Sequence, residues 1–316
     1  MTAASDPVTV APPSASRFGL HRLGSLTPTG SARVPLSWAL YDLANTIFSF
    51  AVVSYAMGLW LTEPDKLGQA DGQVIFSAAV VISVGLNAIL SPVLGAMSDR
   101  GGRRLPFLLF FTVLVIVPSS VIGFTPALVG AALFAIANFA YQAALIFYDA
   151  TLKTVSKPEA RGRLSGIGVG IGYVGTITVV LLLAVASVDV DLVFLVAGVL
   201  FAIFAVPIFI FVKERPTSDQ RFHLRDVPGA MGQLPESIRD ARAVPGLLRF
   251  LVARFFYSDA VNTIIVVMSV IAVRAMGLTG TQFLYVVIML TVVAIVASFV
   301  WGRLVDRHGP KRTLLW

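Results

Sequence analysis

Of the 316 residues, 57% are hydrophobic and 13% charged, about half the charged fraction of an ordinary soluble domain, which this composition excludes. The 24 Lys and Arg against 17 Asp and Glu give a net charge of +7. The absence of cysteine excludes disulfides, thiolate metal sites and cysteine nucleophiles.

Mean hydropathy is +0.85, and uncharged runs of the length needed to cross a hydrocarbon core of about 30 Å recur along the chain. The fold class is therefore all-α, a polytopic helical membrane protein; a β-barrel would need short alternating segments instead. Residues 1–37, rich in Ala, Ser, Thr and Pro, read as a disordered tail without the apolar core of a signal peptide. Eight apolar runs follow, at 38–61, 73–97, 105–124, 127–148, 164–186, 191–212, 248–273 and 280–301. The expected organisation is a six-helix bundle over 38–212, a linker over 213–247, and a second, partial bundle of two spans over 248–316. In the linker, Leu234, Ile238 and Ala241 fall at helical spacing among charged residues; the segment reads either as a short interfacial helix or as a solvated connection.

The basic residues fix an orientation. Twenty-one of the 24 Lys and Arg fall in segments on one side of the eight-span arrangement; the other side holds Lys66 and Arg274, and Arg254 lies inside a span. By the positive-inside rule both ends are cytoplasmic. Topology thus accounts for the excess charge, and no nucleic-acid partner is implied. The three histidines, His21, His223 and His308, all lie in polar segments.

An internal repeat runs through the chain. The first span holds YDLANTI at 41–47 and the seventh YSDAVNTI at 257–264, so Asp42 and Asn45 correspond to Asp259 and Asn262. A second element, G-x-x-x-D-R-x-G followed by basic residues, occurs at Gly95, Asp99, Arg100, Gly102, Arg103 and Arg104. It returns at Gly302, Asp306, Arg307 and Gly309, with Lys311 and Arg312 after Pro310. A long-period repeat is the mark of a duplicated architecture.

This element resembles the loop signature of the major facilitator superfamily, whose carriers have two six-helix halves. A narrower resemblance rests on WALYDLANTI at 38–47, YDATL at 148–152, RLSGIGVGIGYVG at 163–175 and FLVARFFYSDAVNTI at 250–264. Together these look like the vacuole-effluxer-like family, whose fungal members are implicated in releasing amino acids from vacuoles. Ala260, where that family usually has glycine, and the charged Arg254 depart from its pattern. The resemblance implies a twelve-span carrier, and the expectation is that the chain breaks off where a ninth span would begin.

A carrier needs a midplane site between two bundles rather than covalent chemistry. Asp within a span is costly, about 2.5–3.5 kcal/mol at a helix centre, and faces a bundle interior, a partner or a pathway. Asp42 and Asp259 read either as groups on the pathway that titrate or bind a solute amine, or as acids near the cytoplasmic end that pair across the halves. Asn45 and Asn262, one turn on, share their faces. Asn138, Gln142 and Tyr173, with Asn87 and Tyr141, read as solute contacts or as hydrogen bonds between helices. Asp149 is expected at the end of the fourth span, facing water, with Lys153 one turn on. Asp99 and Asp306, just past their spans, are expected to bind a basic partner and close the cytoplasmic side, with Gly95 and Gly302 permitting close helix approach.

GIGYVG at 170–175 fits a dinucleotide pattern, but lies inside an apolar run rather than between a strand and a helix. YD at 41–42 and 148–149 lacks the second motif of an intramembrane aspartyl protease. The reading is a secondary carrier, not an enzyme, with no cofactor and no metal, in a bacterial plasma membrane. Its partners are a small polar solute, with amino acid efflux leading, protons as coupling ion, and membrane lipid. Beside it stand a non-transporting truncated protein or subunit needing a partner chain, and, last, an intramembrane enzyme.

Overall fold

A computed structural model describes residues 23–100, 103–186, 188–214, 239–240, 242–272 and 276–315. The apolar runs become helices because lipid offers no partner for backbone N–H and C=O groups, which a helix satisfies within itself. The first span runs from α1 (Arg33–Phe48) through a π-helical segment, Ser49–Ala56, into α2 (Met57–Leu61). Then come α3 (Gly68–Arg100), α4 (Leu105–Val121), α5 (Ala127–Val155), α6 (Arg161–Ala186), α7 (Val190–Phe211), α8 (Leu247–Val270), α9 (Gly280–His308) and the short α10 (Pro310–Leu314). Seven of the described helical stretches are long and apolar enough to cross a membrane. The seventh expected span is helical as α8 but is not among those seven.

Four boundaries differ from the sequence expectation. Residues 23–37, expected in the disordered tail, are folded: Leu26 and Thr27 are buried, Lys157 N–H donates to the Leu26 carbonyl at 2.9 Å, and α1 starts at Arg33. α5 continues seven residues past 148, so Asp149 and Lys153 lie on the helix. α9 likewise runs to His308, and α3 to Arg100, so Asp99 and Asp306 sit on final turns rather than beyond the helix ends. For α3, α5 and α9 the physical reason is common: polarity marks the edge of the hydrocarbon, whereas a helix stops only at a breaker. The 29 residues of α9 span about 44 Å, longer than the hydrocarbon core. It ends at Gly309, whose φ of 80° favours glycine, followed by Pro310.

The core is aromatic. Tyr41, Trp60, Phe134, Phe147, Phe194 and Phe201 are all fully buried within one cluster. α1 packs on α6 and α7, α5 on α3 and α4, and α9 lies along α6. The interfacial helix expected around 234–241 falls outside the described residues, except for 239 and 240.

Candidate functional site

The three motifs of the first bundle converge on one place. Trp38 stacks on Tyr148 at 4.7 Å between centroids, and Tyr41 also stacks on Tyr148, at 5.1 Å. Trp38 Nε1 donates to Thr151 Oγ1 at 3.2 Å, and Tyr148 Oη donates to the Trp38 carbonyl at 3.1 Å. α6 closes the group by omission of side chains. A Cβ at Gly168 would meet the Trp38 ring at 2.5 Å, and one at Gly172 would meet Thr46 Oγ1 at 2.8 Å and Asp42 Oδ2 at 2.9 Å. WALYDLANTI, YDATL and the glycine run are thus parts of one assembly.

Beside it lies a cavity of about 440 Å³. Asp42, Asn45, Thr46 and Ser49 reach it from the first span, with Phe50, Ser54 and Tyr55 of the π-helical segment; Tyr141 comes from α5, and Tyr173 and Thr176 from α6. α8 contributes Met268, and α9 contributes Val287, Leu290, Thr291 and Ala294. Helices from both sides of the linker therefore share the wall. The π-helical segment carries a Ser54 hydroxyl bonded to the Ser49 carbonyl five residues back, at 3.0 Å, a widening of the helix that recurs at functional sites. Asn45 is 3% exposed, and neither atom of its amide has a hydrogen-bond partner. The described residues hold two ion pairs, Lys66–Asp191 and Arg163–Asp306; Asp42 belongs to neither.

Among the expected site residues, Asp42, Asn45 and Tyr173 meet at the cavity. Asn138 is buried and donates to Ser83 Oγ at 2.7 Å, joining α5 to α3, and neither it nor Gln142 belongs to the wall. The buried Asn87 Oδ1 has no partner and also lies off the cavity. The side chains of Asp99, Arg100, Asp259 and Asn262, and all of Gly102, lie outside the described residues. Thr46, Ser49, Ser54, Tyr55, Thr176 and Thr291 were not anticipated. The signal for two of them was present, since 42, 45, 46 and 49 fall on one helical face.

The second copy of the repeated element makes a defined junction. Asp306 accepts the backbone N–H of Gly162 at 2.9 Å and of Arg163 at 3.0 Å, and the Arg163 guanidinium at 3.0 Å. It so satisfies two of the orphan donors at the α6 N-terminus, where the helix dipole favours an anion. Gly302 is buried against Gly162 and Gly166, while Arg307 is exposed. In the first copy, Arg104 reaches Ser98 Oγ at 3.3 Å and the Ala150 carbonyl at 3.1 Å, and its backbone N–H donates to Glu214 at 2.6 Å. Arg103 is exposed, and a Cβ at Gly95 would meet nothing within 4 Å.

Long apolar helices around a mostly apolar cavity that carries an acid, an amide and hydroxyls fit a membrane transporter, and the relatives below make it one of the major facilitator type. The family described as "Vacuole effluxer Atg22 like" matches residues 152–316, half of the chain, and the chain belongs to it. A protein of Bacillus subtilis (strain 168), described as "Uncharacterized MFS-type transporter YxiO", is 27% identical over 298 residues, 88% of this chain and 69% of that protein. A protein of Aquifex aeolicus (strain VF5), described as "Uncharacterized protein", is 26% identical over 282 residues, 88% of this chain and 67% of that one. The chain thus spans about two thirds of the length of both relatives.

Proposed function

We propose that the protein is a proton-coupled secondary carrier for a small polar solute of the amino acid or amine type, working in efflux across a bacterial plasma membrane with both ends cytoplasmic. The observation that carries this reading is Asp42: a carboxylate in the wall of a cavity shared by α1, α5, α6, α8 and α9, outside both ion pairs of the described residues. An acid so placed exchanges its proton, or its solute, rather than a fixed cation. Asn45, Tyr141 and Tyr173 share that wall with it. By the repeat, Asp259 and Asn262 form the counterpart on α8. Asp306 at the α6 N-terminus serves as the closing contact on the basic side, and Asp99 with Arg100, Gly102 and Arg103 plays the matching part in the first copy.

The test is uptake into inverted membrane vesicles from cells expressing the chain, using radiolabelled amino acids and amines under an imposed pH gradient. Asp42→Asn is expected to abolish gradient-driven accumulation. Accumulation equal to that of the unmodified protein would remove Asp42 from coupling. A protein that inserts and folds but moves nothing on the panel would favour a non-transporting subunit.

A further inference from the structure

We infer that the cavity selects a small ammonium-bearing solute that also carries a neutral amide or hydroxyl, and rejects anions. This deepens the carrier reading and rests on the cavity being the solute site. The argument begins with a count of donors and acceptors. Asp42, when ionised, only accepts hydrogen bonds. Thr46 Oγ1 donates to the Asp42 carbonyl at 3.0 Å, and Thr291 Oγ1 to the Val287 carbonyl at 2.7 Å. Each hydroxyl has a single proton, so both present lone pairs to the cavity. No Lys, Arg or His is among the described residues of the wall. The hydroxyls of Ser49, Tyr55, Tyr141, Tyr173 and Thr176 can donate as well as accept, but the one charged group among the described residues of the wall is an acid, which suits a cation and offers a carboxylate no opposite charge.

Asn45 supplies the second requirement. A buried amide with both ends unmatched is unfavourable, and native structures contain few. Here it faces a cavity one helical turn from Asp42, so a solute placed between the two satisfies both. An amide offers a donor and an acceptor together, the complement of a primary amide or a hydroxyl. Phe50, Leu145, Val169 and Leu290 give the wall an apolar part, with room for a hydrocarbon body. The volume of about 440 Å³ sits within the roughly 300–1,000 Å³ of small-molecule sites.

The experiment is equilibrium binding to the full chain in detergent micelles at neutral pH, with four matched probes. Leucinamide has the ammonium and the amide, 3-methylbutylamine only the ammonium, leucine the ammonium and a carboxylate, and 4-methylpentanoate only the carboxylate. Leucinamide is expected to bind tightest, with leucine and 4-methylpentanoate weaker by about tenfold or more, as for loss of a charge-assisted contact. Asn45→Leu should bring leucinamide down to the level of 3-methylbutylamine, and Asp42→Asn should weaken both amines by about tenfold. The ranking on the unmodified chain needs no variant to fold. Leucine or 4-methylpentanoate binding as tightly as leucinamide, or none of the four binding, overturns the inference. Leucinamide binding without gradient-driven flux would sink the carrier reading alone; flux of 4-methylpentanoate would sink only the selectivity.

Discussion

Asp191 shows how one side chain holds an end of the bundle. It begins α7, accepts Trp60 Nε1 at 2.5 Å and Lys66 Nζ at 3.4 Å, and Lys66 lies 5.0 Å from the Trp60 ring centroid. After burial and together with Asp65, it also pushes the Glu63 carboxyl above its ordinary value. Trp60 is fully buried, so removing its acceptor orphans an N–H. Asp191→Ala should therefore lose about 1–3 kcal/mol, read as a lower melting temperature in detergent. Lys66→Met should lose under about 1 kcal/mol, since the pair is partly exposed and water screens it. Equal losses would show that the charge, not the indole hydrogen bond, matters. Polar residues such as Asp42, Asn45 and Tyr173 were legible in the sequence because an apolar run makes each one conspicuous. Thr46, Ser49 and Thr291 were not, because a hydroxyl can bond its own helix and so passes unnoticed in a span. Tyr148 and Thr151 needed the fold, for only packing brings them to Trp38.

α6 is built with two bare faces. Gly162, Gly166 and Gly170 lie against α9, while Gly168, Gly172 and Gly175 lie against α1. Helices in lipid associate through close packing of such small residues, and the spacing of the run made that packing legible before the fold. Its division between two neighbours was not, because the glycines say how close a helix may come and not which one comes. The π-helical turn at Ser49–Ala56 has no composition of its own and was equally invisible. The two copies of the repeated element give a sharp contrast. A Cβ at Gly302 would meet the Gly162 carbonyl at 2.8 Å and the Gly166 Cα at 3.2 Å, backbone atoms that cannot rotate away; at Gly95 it meets nothing within 4 Å. Gly302→Val should thus push α9 off α6, losing about 1–3 kcal/mol to overpacking and weakening the Asp306 contact. Gly95→Val should leave melting unchanged. Both melts and vesicle flux would be measured, and a harmless Gly302→Val would refute the close crossing as a device for closure.

The molecule as a whole was the most legible level, since the bilayer permits few architectures. Apolar runs placed the helices, though they understated their length wherever a helix outlasts the hydrocarbon. Charge placement then predicts an orientation: in the expected eight-span arrangement 21 of the 24 basic residues fall in the segments of one side, and translocating them is unfavourable. The chain has no cysteine, so one introduced thiol reports one position. Asp65, exposed between α2 and α3, and Glu159, exposed between α5 and α6, lie at opposite ends of the bundle. Asp65→Cys should react with a membrane-impermeant maleimide on intact cells, and Glu159→Cys only after the membrane is opened. The reverse pattern would turn the protein over and put Asp306 and the N-terminus of α6 on the outer side. The closing contact proposed for the cytoplasmic end would then guard the outer mouth, while the cavity and its acid kept their place between the bundles.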